Sequence, residues 1–272
     1  MYKPKISEIN TLRKITNSGI IDCKKAIIES NGNLEEAIDW LRKKGVSDNL
    51  ICKETNEGFV ICKINKEQTV GVILKINCET DFVTRNSTFI NMANIIVNKA
   101  LYCNNIDELF NIKINKNLSV INFINHHINN IIKEKIELSS FEMIKSSFVG
   151  YYVHHSNKIG SIVGFSKKIK GIEKIAKEIA MQIVATNPLV LDRNSLPIEI
   201  IEREKKIIKN KLLNLKKSKN IIKKIIDGKI QKFIFENVLL YQNFIKNKKI
   251  SIREYLKNFD KNLKITSYKR IS

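Results

Sequence analysis

Between residues 7 and 44, apolar side chains recur every three to four positions, the period that lines one face of a helix. Ile9, Leu12 and Ile15 form one such face, Ile20, Cys23 and Ile27 a second, and Leu34, Ile38 and Leu41 a third. Gly32 and Gly45 punctuate the second and third ends, and Asn33 followed by Glu36 has the spacing of a capping box. Residues 1–45 are therefore expected to form a compact three-helix module. The polar, irregular stretch 46–57 reads as a linker.

The period then changes. Residues 58–66 and 69–77 alternate or run with β-branched side chains around Glu67-Gln68, which predicts a hairpin closed by a two-residue turn. Helical spacing returns at Phe89, Met92, Ala93, Ile96, Val97 and Ala100, in a helix expected to begin near Asn86. Residues 104–135 read as mostly helical, blurred by abundant Ile and Asn. Strands follow at 136–144, 147–154 and 158–166, with Gly160 and Gly164 as points of close backbone approach. A helix over 172–186 is stopped by Asn187-Pro188. Two longer helices, roughly 197–215 and 220–240, carry the stripes Ile201, Ile208, Leu215 and Ile222, Ile226, Ile230, Phe233. They are expected to form an antiparallel hairpin turning at 216–219. A short helix at 252–259 and a strand at 263–268 complete the pattern. The fold class is α+β, with antiparallel strands in a two-part core. The core spans 58–135 and 136–193, a helical hairpin occupies 194–235, and 236–272 returns to the core.

Composition narrows the function classes. The 272 residues are 43% hydrophobic and 28% charged, as in soluble globular proteins with one to three cores. No apolar run approaches the roughly 20 residues of a membrane span. The first residues lack the apolar segment of a signal peptide, so a cytoplasmic location is expected. The five cysteines are odd in number and form no C-x-x-C pair, which argues against a disulfide framework or a zinc site. Phosphate-binding glycine loops are absent. The histidines come as adjacent pairs, His126-His127 and His154-His155. Strand neighbours point to opposite faces and helix neighbours do not face each other, so neither pair is expected to share a metal. No cofactor, metal or covalent chemistry is expected. The net charge of +21 supports a second reading, a basic RNA- or ribosome-associated binding protein. Scattered lysines with few interleaved aromatics count against a dedicated nucleic-acid groove.

The most informative stretch is Asn77-Cys78-Glu79-Thr80-Asp81-Phe82-Val83, a strand-to-helix turn that sets an acid beside a large aromatic. One reading makes Phe82 an anchor for an apolar pocket on a partner protein, with Asp81 charged beside it. The other makes the segment a helix cap with Phe82 in the core.

The chain resembles the elongation factor Ts family. The run Leu12-Arg13-Lys14-Ile15-Thr16-Asn17-Ser18-Gly19-Ile20-Ile21-Asp22-Cys23-Lys24-Lys25-Ala26 is similar to the family's opening, and Thr80-Asp81-Phe82-Val83 to its TDFV signature. Tyr152-Val153-His154 with Lys158-Ile159-Gly160, and Lys232-Phe233, Glu236, Leu239 and Gln242-Asn243-Phe244, continue the likeness in family order. The resemblance implies an N-terminal module like a ubiquitin-associated domain, a two-part core and a protruding coiled coil. It also implies guanine-nucleotide exchange on elongation factor Tu, bound in its GDP and nucleotide-free states, with no nucleotide, membrane or nucleic acid bound directly. Asp81 and Phe82 would press near the magnesium site of the GTPase, flanked by Thr80 and Val83. Arg13, Ile20, Ile21 and Lys24 would grip the GTPase from the N-terminal module, and His154 from the core. Only one of Ile20 and Ile21 is expected to face inward. The chain departs from the family in having Ile20-Ile21 for Met-Met and Lys219-Asn220 for Lys-Pro. The extra C-terminal module of some members is not expected.

Overall fold

A computed structural model of the chain describes residues 2–16, 18–43, 55, 57–116, 118–132, 134–212 and 219–272. It divides into two units, Met1–Glu54 and Thr55–Ser272. The first holds α1 (Ile6–Thr16), α2 (Ile20–Glu29) and α3 (Leu34–Lys43). Leu12, Cys23, Ala26, Ile27, Ala37 and Leu41 are buried between them, with Tyr2, Ile9, Leu34, Ile38 and Trp40 packed around. The turn from α2 to α3 places two residues in the left-handed region, Asn31 at φ 50° and Gly32 at φ 87°. A Cβ at Gly32 would also meet the Tyr2 ring at 2.5 Å. Asn33 Oδ1 then accepts from the Glu35 and Glu36 amides at 3.1 and 3.4 Å, capping α3. Gly45 and most of the linker expected at 46–57 lie outside the described residues.

The second unit begins with β1 (Glu57–Ile64), β2 (Val70–Cys78), α4 (Asp81–Arg85), α5 (Ser87–Ala100) and α6 (Ile106–Asn111). It continues through β3 (Lys113–Asn115), β4 (Leu118–Ser119), α7 (Val120–His126), β5 (Ile136–Lys145), β6 (Phe148–Val153), β7 (Gly160–Phe165) and α8 (Ile172–Thr186). Last come α9 (Ile198–Leu212), α10 (Lys219–Asn237), β8 (Asn243–Phe244), β9 (Asn247–Ser251), α11 (Ile252–Phe259) and β10 (Ile265–Ile271). The fold is α+β, with antiparallel sheets ordered β1-β2-β5 and β10-β7-β6.

Side-chain alternation explains how the sheets stack. From β2, Val72, Leu74, Ile76 and Cys78 join Phe89, Met92, Ala93, Ile96 and Val97 of α5. Its other face sends Ile73 into a cluster with Val60, Cys62, Ile144, Val149, Ile162 and Ile271, between the sheets. From β7, Val163 and Phe165 join Ile172, Ile175, Ala176, Ile179 and Ile183 of α8. The order is helix, sheet, sheet, helix, so the central strands β2 and β7 are covered on both faces, and β7 is buried throughout, while β5 and β10 keep exposed polar positions. Gly164 permits the approach of the sheets, because a Cβ there would sit 2.6 Å from Thr266 Oγ1 and 2.9 Å from Ile144 Cγ2.

Some expectations are corrected. The β1–β2 turn is longer than two residues: Asn65 Oδ1 accepts from the Thr69 and Val70 amides at 2.8 and 2.9 Å, and Gln68 adopts φ 62°. That side chain stands in for ladder bonds and closes a four-residue loop. The helix expected near Asn86 is preceded by a separate turn of helix, α4, and Asn86 caps α5 through the Thr88 amide at 2.8 Å. The stretch 104–135 is mostly helical as expected, with two short helices and a π-helical turn at His127–Ile132 among the described residues, but a small antiparallel ladder interrupts it. The last strand runs to Ile271 rather than Tyr268.

Leu196, Ile208 and Leu212 pack with Ile226, Ile230, Ile234 and Val238 along α9 and α10. Val190 bridges Val238 at their base. Leu215 and most of the turn expected at 216–219 lie outside the described residues. Beyond α10 the chain is fastened to α8. Gln182 Nε2 donates to Gln242 Oε1 at 3.1 Å, and the Ile245 amide donates to Gln182 Oε1 at 2.8 Å. Glu178 accepts from the Tyr255 hydroxyl and from Lys246 Nζ, the latter at 3.2 Å. Burial pushes the Glu178 carboxyl up, but these two hydrogen bonds outweigh it and hold the group below its ordinary range. Burial, then the bond to Glu178, raises the Tyr255 hydroxyl.

A depressed carboxyl stabilises the fold above its unfolded pKa, and a raised phenol stabilises it below its own. Tyr255→Phe should lower stability by about 1.5–3 kcal/mol at pH 7, as for loss of a hydrogen bond to a charged group. The difference from wild type should be widest between about pH 5 and 9 and shrink below about pH 4 and above about pH 10. Urea unfolding across pH measures it.

Candidate functional site

The strand β2 ends at Cys78, paired with Glu57 on one side and Ile136 on the other. The chain leaves the sheet through Glu79 and Thr80 and turns into α4. Thr80 holds the N-cap position in an extended conformation, φ −126° and ψ 155°, but its side chain does not cap its own helix. Its hydroxyl donates instead to the Glu134 carboxylate at 3.0 and 3.1 Å, and its amide to the same group at 3.2 Å. In return the Lys135 amide donates to Glu79 Oε1 at 2.8 Å. From below, the buried Cys78 thiol donates to the Thr80 carbonyl at 3.2 Å. Burial, followed by the Glu134 and Glu57 carboxylates, pushes that thiol up to about 11, so it stays a neutral donor.

What α4 presents follows from this mount. Val83 is buried in the cluster with Phe59 and Phe89. Neighbouring helical residues lie about 100° apart, so a buried Val83 turns Phe82 outward. Phe82 is 79% exposed and is not part of the core. Asp81 accepts from Arg85 Nη2 one turn later at 3.1 Å and remains 44% exposed.

The turn 154–159, between β6 and β7, lies close to this site. Lys158 Nζ pairs with Glu57 Oε2 at 2.7 Å, beside the end of β2. The Val60 amide donates to the Asn157 carbonyl at 2.6 Å. The Lys158 ammonium is held above its usual value first by Glu57, and it also feels Asp81. His154 starts this turn, its Nδ1 3.0 Å from Ser156 Oγ. The expectation that His154 and His155 point to opposite strand faces is corrected: β6 ends at Val153, and in the turn the two rings lie 4.0 Å apart. The structure thus gathers Thr80, Asp81, Phe82, Val83 and the His154 turn around the Glu57–Cys78 pair.

In the first unit, Arg13 and Lys24 are exposed. Ile20 and Ile21 are 52% and 70% exposed, which corrects the expectation that one of them faces inward. Ile20 shares the face of Cys23 and Ile27, but it is the first residue of α2 and lies past the edge of the buried cluster.

Sequence reasoning missed Glu134, Cys78 and Lys158. Glu134 lies 54 residues from its partner Thr80, and no periodicity links them. Among the described residues no helix is long and apolar enough to cross a membrane.

The sequence model of the family Elongation factor TS matches residues 79–272, starting at the Glu79 turn. The chain belongs to the elongation factor Ts family. A relative named Elongation factor Ts from Flavobacterium psychrophilum is 39% identical over 97% of this chain and 96% of its own. One of that name from Christiangramia forsetii is 38% identical over 100% and 99%, and one from Rickettsia prowazekii 37% over 96% and 89%. Membership makes the chain a translation elongation factor. The Glu79–Thr80 clasp and α4 fall inside the family match.

Val83 and Phe82 should separate stability from surface function. Val83→Ala removes buried atoms from a packed cluster and should destabilise by about 1.5–3 kcal/mol. Phe82→Ala, at an exposed position, should stay within about 0.5 kcal/mol of wild type. Denaturant midpoints of the two variants report both.

Proposed function

We propose that the chain binds elongation factor Tu in its GDP-bound state and promotes release of GDP, remaining bound to the nucleotide-free GTPase. The observation that carries this reading is Phe82, exposed at 79% next to a buried Val83 on a helix whose N-cap residue, Thr80, is held through its carbonyl, amide and hydroxyl. An isolated exposed aromatic is ordinary on a protein surface. One held rigidly beside a charge suits an interface anchor, because little ordering remains to be done on binding.

In this mechanism Phe82 enters an apolar gap near the magnesium site of the GTPase and Asp81 places its carboxylate beside it. Displacing Mg²⁺ removes a counter-charge from the β-phosphate and weakens GDP. No bond is made or broken, and no cofactor takes part. The activity is a coupling free energy, so whatever factor the chain takes from GDP affinity, bound GDP takes from the affinity of the chain. Thr80 and Val83 orient the helix. Arg13, Ile20, Ile21 and Lys24 grip the GTPase from a module resembling a ubiquitin-associated domain, and His154 adds a core contact. The α9–α10 pair forms a hairpin arm, and the factor works in the cytoplasm. The RNA-binding reading rests on net charge alone and is not favoured.

Release of a fluorescent GDP analogue from elongation factor Tu tests this. The chain should accelerate release, and Phe82→Ala should slow the accelerated rate by about 30-fold, the loss of an anchor worth ~2 kcal/mol. Acceleration untouched by the substitution would contradict the wedge. No acceleration by the folded chain would contradict exchange itself.

A further inference from the structure

The five residues of α4 are too few to hold a helix on their own. Its orientation is set by whatever fixes its ends. Val83 fixes the middle from the core side, and the Asn86 amide closes the far end onto the Val83 carbonyl at 3.0 Å. At the near end, the N-cap threonine would ordinarily bond amides of the first turn. Here Thr80 is turned away, and one carboxylate takes both of its donors.

The clasp is reciprocal. The side chain of Glu134 holds the backbone and hydroxyl of Thr80, while the side chain of Glu79 holds the backbone of Lys135. It begins where the β2–β5 ladder stops, at Cys78 and Ile136, and continues that pairing through side chains. Hydrogen bonds to a carboxylate are stronger than neutral ones and fix direction as well as distance. A change of about 100° in helix rotation would exchange the places of Phe82 and Val83. The near-end clasp and the burial of Val83 therefore act together in setting which of them faces outward.

From this geometry we infer that Glu134 is a positioning residue for Phe82, acting on the partner only through the orientation of α4. The inference rests on the exchange reading above. Glu134 contributes no contact of its own to the GTPase, and its removal acts by letting α4 fray and rotate.

A double-mutant cycle on GDP release tests this, using wild type, Glu134→Ala, Phe82→Ala and the double variant. Glu134→Ala should slow the accelerated release by ~3- to 10-fold, the effect of one side chain that must be ordered on binding. In the Phe82→Ala background the same change should have no further effect. Amide hydrogen exchange at residues 81–85 should rise in Glu134→Ala while the urea midpoint of the rest of the fold changes little. Where Glu134→Ala does not fold, Glu134→Gln, which keeps the bulk and one acceptor, reads the same cycle with a smaller effect. If Phe82→Ala alone leaves release unchanged, the wedge reading falls and takes this inference with it. If Phe82→Ala slows release but Glu134→Ala does not, or slows it equally in both backgrounds, the positioning role falls and the wedge stands.

Discussion

The burial of β2 on both faces is the constraint on which the rest of the second unit depends. One face meets the α5 layer and the other meets a second sheet, so the strand is apolar from Val70 to Leu74 and again at Ile76 and Cys78, with Lys75 and Asn77 half-buried between them. Burial at roughly 25 cal/mol per Å² holds such a strand firmly in place. The chain leaves the sheet at its end, at Cys78, and the residues that follow inherit that fixed position. The Cys78 thiol, the Glu134 carboxylate and the Val83 side chain pass it on to α4. Phe82 is the residue left facing solvent.

This arrangement gives two adjacent residues opposite environments. Val83 and Phe82 are consecutive and both apolar, but one is buried and the other exposed. The second sheet contributes to the same region through the His154 turn, fastened to β1 by Lys158 and Asn157. The electrostatics are mixed rather than single-signed: Asp81 with Arg85, and Glu57 with Lys158. Against a chain of net charge +21, this patch is close to balanced, which suits a specific protein contact better than a polyanion.

How much of this was legible in the sequence depended on how local the determining interaction is. The helices over 172–186 and 252–259 were readable to the residue, because apolar spacing and terminal signals agreed: Asn187 in a left-handed conformation before a proline, and a capping box at Ser251 and Glu254. The β1–β2 turn was misread because one side chain, Asn65, replaces ladder bonds that turn residues alone do not reveal. The stretch 104–135 is mostly helical as expected, but isoleucine and asparagine recur at both helical and strand intervals and hid the small β3–β4 ladder within it. The turn at 80–83 was recognisable, but the exposure of Phe82 was not. That depends on which neighbour the core takes, and on a carboxylate 54 residues away. The two isoleucines opening α2 are the same lesson in miniature: helical spacing gives the face of Ile20, and only the extent of the core says that it lies beyond it.

Phe82 is solvent-facing in the free chain and, in the proposed exchange mechanism, is buried by the GTPase. Fluorine NMR of 4-fluorophenylalanine placed at position 82 measures this through the H₂O/D₂O isotope shift of the single label. The expected result is a shift close to that of a fully hydrated ring in the free chain, abolished when elongation factor Tu·GDP is added to saturation. A shift that persists unchanged in the saturated complex would contradict it.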